Sequence, residues 1–267
     1  MLAQRYPNAY DGITAGAPAI GLTHLAASLY WPTQAINNIG HVPHGCEFTT
    51  ITAAAIEHCD ALDGVVDGVV YNVEECLSSF DPFTVVGKPY NCTDSAGTVS
   101  DDAAEAITAI WEGYHTVEGK KVFYGLTPSS DLTSSGPFAQ DDMIPAVSID
   151  CSNNGTCVNL INGLAVPWYQ YMVLKDSTSD ITSFTHEEFD DLSYQGFQQY
   201  ESLLETKDVD LSKFKEAGGK MLTFHGLVSS FCSLHLAKST VILTNHTGRP
   251  SHPRGEHKRL LRSSHRV

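Results

Sequence analysis

Residues 10–21 read YDGITAGAPAIG, and residues 214–227 read FKEAGGKMLTFHGL. Each holds a compact apolar run bounded by glycine. Ile13-Thr14-Ala15 empties into Gly16-Ala17-Pro18, and Met221-Leu222-Thr223-Phe224 ends at His225-Gly226. Such runs predict buried strands that deliver small or polar residues at their C-terminal edges, where ligands of open α/β sheets collect. The long stretch between them carries mostly helical and loop patterns, with no internal repeat. The expected class is therefore α/β, a sheet domain interrupted by a large insertion.

The elements inside the insertion follow from caps and periodicity. Met1–Tyr6 looks like the last turn of a helix stopped by Pro7. Residues 23–39 suit a helix broken near Pro32, and Thr49–Asp60 suits another, with Thr49 or Thr50 as its N-cap. Ser100–Glu112 is the clearest: Ser100 caps, Asp101 and Asp102 complement the first turn, and Ala103, Ile107 and Ile110 recur at helical spacing. Residues 115–160 are rich in Ser, Gly and Pro and read as loop. Helical pattern returns around 158–174 and 186–206.

The chain has 267 residues, 42% of them hydrophobic, enough for one large domain or two ordinary ones. No apolar run reaches the roughly 18 residues that a membrane span needs, and residues 1–20 lack the basic start and apolar run of a signal peptide. Any secretion signal is thus expected outside this chain. A formal charge of −15 argues against nucleic acid and anionic membrane as partners. The charge is uneven. Residues 1–228 hold 9 Lys and Arg against 30 Asp and Glu, whereas 229–267 hold 7 Lys and Arg and 5 His against the lone acid Glu256.

Seven cysteines, at 46, 59, 76, 92, 151, 157 and 232, are too scattered for a zinc cluster. Cys59 with Cys76 and Cys151 with Cys157 each enclose a short loop-like segment, so disulfides are the expectation. The sequons at Asn91, Asn154 and Asn245 agree with an oxidising compartment.

Residues 59–76, CDALDGVVDGVVYNVEEC, fence three carboxylates between two cysteines. The spacing is not that of an EF-hand, but the chemistry can be the same. Calcium takes six to eight oxygens at about 2.3–2.6 Å. Asp60, Asp63 and Asp67 with the carbonyls of Val65 and Val69 would offer such a set, and Gly64 and Gly68 permit tight turns. A solvated acidic turn is the other reading, Asp-Gly being an ordinary turn pair.

The segments QRYPNAYDGITAGAPA, CDALDGVVDGVV followed by FDPF, and GGKMLTFHGL, in this order and at these distances, resemble the fungal tannase and feruloyl esterase family over about residues 1–227. The resemblance implies secreted α/β-hydrolases that cleave phenolic acid esters such as feruloyl or galloyl esters. It assigns 1–22 to the hydrolase core, 23–217 mainly to an inserted lid, 218–227 to a core strand and 228–267 to a divergent basic tail. It also implies a structural Ca²⁺ in the lid, with ligands at Asp60, Asp63, Val65, Asp67 and Val69, the valines through their carbonyls. Cys46 and Cys92 flank the lid loop and make the expected third pair, leaving Cys232 unpaired.

The family's serine nucleophile lies in a Cys-Ser-x-Gly-Gly turn just upstream of a segment like Ala3–Pro7, its acid is an Asp just after a His-Gly-x motif, and its histidine precedes a cysteine. Here Met1-Leu2 precede Ala3, Val228-Ser229-Ser230 follow His225-Gly226-Leu227, no Gly-His-Cys context occurs, and G-x-S-x-G is absent. The expectation is a truncated serine-type carboxylic ester hydrolase with no catalytic residue of its own. His225 then orients or packs, and His246, His257 and His265 are solvated. The tail reads as translated non-homologous sequence, such as a retained intron or shifted frame. Its rival is a basic binding tail carried by KRLLRSSHR. Trp31, Trp111, Trp168, Tyr169 and Tyr171 are either core or walls of a pocket for a phenolic ring. The alternative for the whole chain is a non-catalytic, calcium-stabilised secreted binding module.

Overall fold

The computed structural model describes residues 1–93, 95–133, 145–153 and 156–224. His225, Cys232, the sequons at Asn154 and Asn245 and the basic tail lie outside the described residues. A short helix α1 (Leu2–Arg5) leads into strand β1 (Gly12–Gly16). The chain then runs through α2 (Leu22–Ser28), α3 (Trp31–Ile39), α4 (Gly45–Cys59) and α5 (Val73–Ser79) to a small antiparallel pair, β2 (Pro89–Asn91) and β3 (Ala96–Thr98). After α6 (Asp101–Glu112) come a second antiparallel pair, β4 (Ser148–Asn153) and β5 (Thr156–Leu160), and α7 (Ala165–Pro167), which passes into a π-helical turn over Trp168–Val173. The long α8 (His186–Leu204), α9 (Ser212–Glu216) and β6 (Lys220–Phe224) complete the order.

β6 returns beside β1 in parallel, Ile13 opposite Met221 and Gly16 opposite Phe224. The two expected strands are therefore neighbours, and the helical region is the excursion between them. Their expected burial is not found: Leu222 and Phe224 are exposed. Parallel strands are buried when layers cover both faces, and among the described residues β1 and β6 form a sheet of two strands only.

The core sits in the helical region. Tyr30, Phe48, Ile51, Ile107, Ile110, Tyr169 and Phe189 are fully buried in one cluster. Helix α6 starts where its cap predicts, the Ser100 hydroxyl accepting from Ala103 N at 3.2 Å. Pro32 stands in the first turn of α3, where its missing N–H costs nothing, so the break falls just before it. Four of the five singled-out aromatics, Trp31, Trp111, Trp168 and Tyr169, are core, and Tyr171 is exposed.

Three local expectations are corrected. Helix α4 begins at Gly45, not at Thr49: the His44 ring accepts from Cys46 N, and Glu47 reaches back to His44 N at 2.9 Å. Thr49 and Thr50 instead donate their hydroxyls to Gly45 O and Cys46 O. Residues 148–153 and 156–160 pair as antiparallel strands rather than loop, linked by Cys151–Cys157, so residues 158–160 are strand and not the start of a helix. Beyond them the helical pattern is confined to α7 and the π turn.

Candidate metal centre

Helix α4 ends at Cys59, and a single 3-10 turn, Asp60–Asp63, carries the chain out of it. Gly64 and Gly68 adopt left-handed φ angles of 87° and 81°, which L side chains rarely take. These two bends fold the acidic segment back toward α5. Cys76 on α5 bonds to Cys59, their Cα atoms 5.3 Å apart. Cys59, Val70, Val73 and Cys76 form a small buried cluster of their own, with Leu62 and Phe80 packed against it. The disulfide is thus the centre of a miniature core under the loop.

The three aspartates organise the loop's backbone. Asp60 is nearly buried, and its Oδ1 accepts from Asp67 N at 3.1 Å and Gly68 N at 3.0 Å. Asp63 Oδ1 accepts from Val65 N at 2.9 Å, and Asp67 Oδ1 from Val69 N at 3.1 Å. These bonds use one oxygen of each carboxylate and leave the other for a cation. The donors are hard oxygens, as calcium requires, so the donor set fits the ion. The three are not gathered: among the described residues, the group whose ligand atoms all fall within 4.8 Å of one another is His44, Cys151 and Cys157. Those two cysteines are bonded to each other and supply no thiolate. Binding calcium would require Asp60, Asp63 and Asp67 to swing their free oxygens together.

The other cysteine pairs are Cys46–Cys92 and Cys151–Cys157, as the sequence led us to expect. Asn91 is exposed at the end of β2. No helix among the described residues is long and apolar enough to cross a membrane.

Two acids that sequence reasoning passed over hold distant segments together. Buried Glu47 accepts from His44 N and, through Oε2, from Ser100 N at 2.7 Å and Ser100 Oγ at 2.5 Å. Its sequence signal was its place three residues after a capping residue, hidden because the cap is a histidine. Glu205, just after α8, accepts from Thr23 Oγ1 and from His24 Nδ1 at 2.7 Å, and pairs with Lys207 Nζ at 2.7 Å. Nothing local in the sequence marks it.

The family model for tannase and feruloyl esterase matches residues 1–235. A probable feruloyl esterase from Arthroderma benhamiae is 30% identical over 231 residues, covering 84% of this chain and 39% of the relative. A tannase from Aspergillus oryzae is 24% identical over 255 residues, 84% of this chain and 42% of the relative. Among solved structures, tannin acyl hydrolase from Aspergillus niger superposes with a TM-score of 0.73 at 30% identity, over 87% of this chain and 42% of that one. Feruloyl esterase B from Aspergillus oryzae, at 20% identity and a TM-score of 0.64 over 88% and 43%, supports the fold alone. The chain therefore spans about two fifths of the length of the relatives it matches.

Proposed function

The chain belongs to the tannase and feruloyl esterase family, and on that premise we propose that it is the lid-bearing part of a serine-type ester hydrolase acting on phenolic acid esters such as feruloyl or galloyl esters. The observation that carries this reading is the continuous match of the family model from residue 1 to 235. A superposition on tannin acyl hydrolase, at a TM-score of 0.73, accompanies it. In this division of labour β1 and β6 belong to the hydrolase core, and the helical region from about residue 23 to 217 is the inserted lid that covers the substrate.

Acyl transfer by serine needs a nucleophile, a base within hydrogen-bond reach and an acid that orients the base. None of the three is matched by a residue of this chain. What the chain supplies is shape: a core with Tyr30, Phe48 and Phe189 fully buried, pinned by three disulfides. We assign Asp60, Asp63 and Asp67 with the carbonyls of Val65 and Val69 to a structural Ca²⁺, which would offset the mutual repulsion of the carboxylates. Secretion is the compartment that best suits the disulfides and the exposed sequon at Asn91, which we propose as an N-glycan acceptor.

Reading the coding DNA immediately upstream of Met1 tests the enzyme assignment. An in-frame segment encoding Cys-Ser-x-Gly-Gly is the expected finding. Its absence would favour the non-catalytic binding module. The purified chain should leave methyl ferulate and methyl gallate at the buffer rate; turnover abolished by changing one of its residues would refute the assignment of catalysis to residues outside it.

A further inference from the structure

The chain passes between the two-stranded sheet and the helical region at two places, after β1 at Ile20-Gly21 and after α8 at Glu205–Lys207, and these crossings lie side by side. Thr206 N–H donates to Ile20 O at 3.0 Å, and Gln4 Nε2, from α1, donates to Thr206 O at 2.9 Å. Beside this backbone link sits a charged cluster. Glu205 is 7% exposed. Its Oε1 accepts from the Thr23 hydroxyl and from His24 Nδ1, and its Oε2 meets Lys207 Nζ. Lys207 also bonds Glu201 Oε1 at 2.9 Å and approaches His24 Nδ1 at 3.3 Å. The His24 ring lies flat on Phe197 of α8, centroids 4.0 Å apart and planes within 2°, with Phe123 on a further side at 6.5 Å.

We propose that Glu205, gripped by Thr23, His24 and Lys207, is the latch of an electrostatic clasp that holds together the two segments by which the chain enters and leaves the helical region. The cluster links α2, where the chain enters the helical region, to the segment by which it leaves. A latch there would govern the opening of the joint that the Thr206–Ile20 hydrogen bond closes. The inference rests on this geometry and not on the ester-hydrolase reading.

The clasp is built to survive acid. Burial alone would push the Glu205 carboxyl up, but the hydrogen bonds from Lys207, Thr23 and His24 outweigh it and hold it at about 2, below its ordinary 4.5. A carboxylate whose value is depressed by folding stabilises the native state fully above its ordinary value. That contribution is lost as pH falls from 4.5 toward 2. Lys207 is shifted the other way: burial opposes its charge, while Glu205 and Glu201 raise its value above 10.5, so its share fades only in strong alkali. Glu201 is the remaining charged group at the clasp.

The test is residue-resolved hydrogen exchange by NMR on the whole chain near neutral pH, in the wild type, Glu205→Gln and Lys207→Met. The expected result is exchange of the Thr206 amide accelerated at least about tenfold in Glu205→Gln, with smaller acceleration in Lys207→Met and unchanged exchange at Ala104 in the core helix α6; tenfold corresponds to about 1.4 kcal/mol. Unchanged Thr206 exchange, or equal acceleration at Thr206 and Ala104, would overturn the clasp. So would loss of folding in Glu205→Gln with wild-type Thr206 exchange in Lys207→Met, or loss of folding in both, since a latch confined to the joint leaves the helical core intact.

Discussion

Replacing Glu47 with alanine should loosen the starts of two helices at once. One carboxylate closes the capping box of α4 through His44 N and also holds Ser100, the cap of α6, by its backbone N–H and its hydroxyl. Hydrogen bonds to a charged group are worth about 1.5–3 kcal/mol each, and losing a helix cap costs about 0.5–2 kcal/mol. The three bonds do not add in full, because Ser100 keeps its bond to Ala103 N and water reaches part of the freed backbone. Glu47→Ala should therefore cost about 2–4 kcal/mol, whereas Ser100→Ala, which removes only the hydroxyl's bonds, should cost about 1 kcal/mol. Because the partners form one network, the double variant should fall short of the sum. Urea unfolding followed by far-ultraviolet dichroism reads all three, through the midpoint at constant slope. A Glu47→Ala loss below about 0.5 kcal/mol, the range of ordinary surface changes, would refute this coupling of α4 to α6.

Calcium at 100 times its dissociation constant should stabilise the chain by about 2.7 kcal/mol and magnesium by much less. Thermal unfolding in EDTA, calcium and magnesium checks this, and Asp63→Ala should remove the response while leaving a folded protein. Changing Cys59 and Cys76 together to alanine should cost about 3 kcal/mol in the chain-entropy picture of a loop this size, measured by urea unfolding under non-reducing conditions. Glu205→Gln should be less stable than wild type by a margin that is full above pH 4.5 and closes as pH falls toward 2, seen in unfolding midpoints across that range. A margin independent of pH would contradict the ionised latch.

Much of the architecture was legible because its signals are local. β1 and β6 announce themselves as short apolar runs between glycines, and α6 as a serine cap followed by Ala103, Ile107 and Ile110 at helical spacing. The fenced loop gave away its disulfide. What stayed hidden depends on partners far along the chain or on uncommon chemistry. The start of α4 was missed because a histidine ring takes the place of a hydroxyl or carboxylate cap. The β4–β5 pair was missed because Ile149, Val158 and Leu160 are too few and too widely spaced among polar residues to read as strands. The use of Asp60, Asp63 and Asp67 as hydrogen-bond acceptors for the loop's own N–H groups is a matter of side-chain geometry, which spacing does not encode. Glu205 meets Thr23 and His24 only because α8 packs on α2.

The assignment to a phenolic ester hydrolase is tested most directly by transplantation. Residues 3–224 of this chain would replace the matching segment of the Aspergillus niger tannin acyl hydrolase, whose remaining sequence would provide every group not matched here. The account predicts a folded chimaera that hydrolyses methyl gallate or methyl ferulate, with activity that falls when Asp63 is changed to alanine and calcium is withdrawn. A chimaera that folds, retains its disulfides and cleaves neither ester would contradict it.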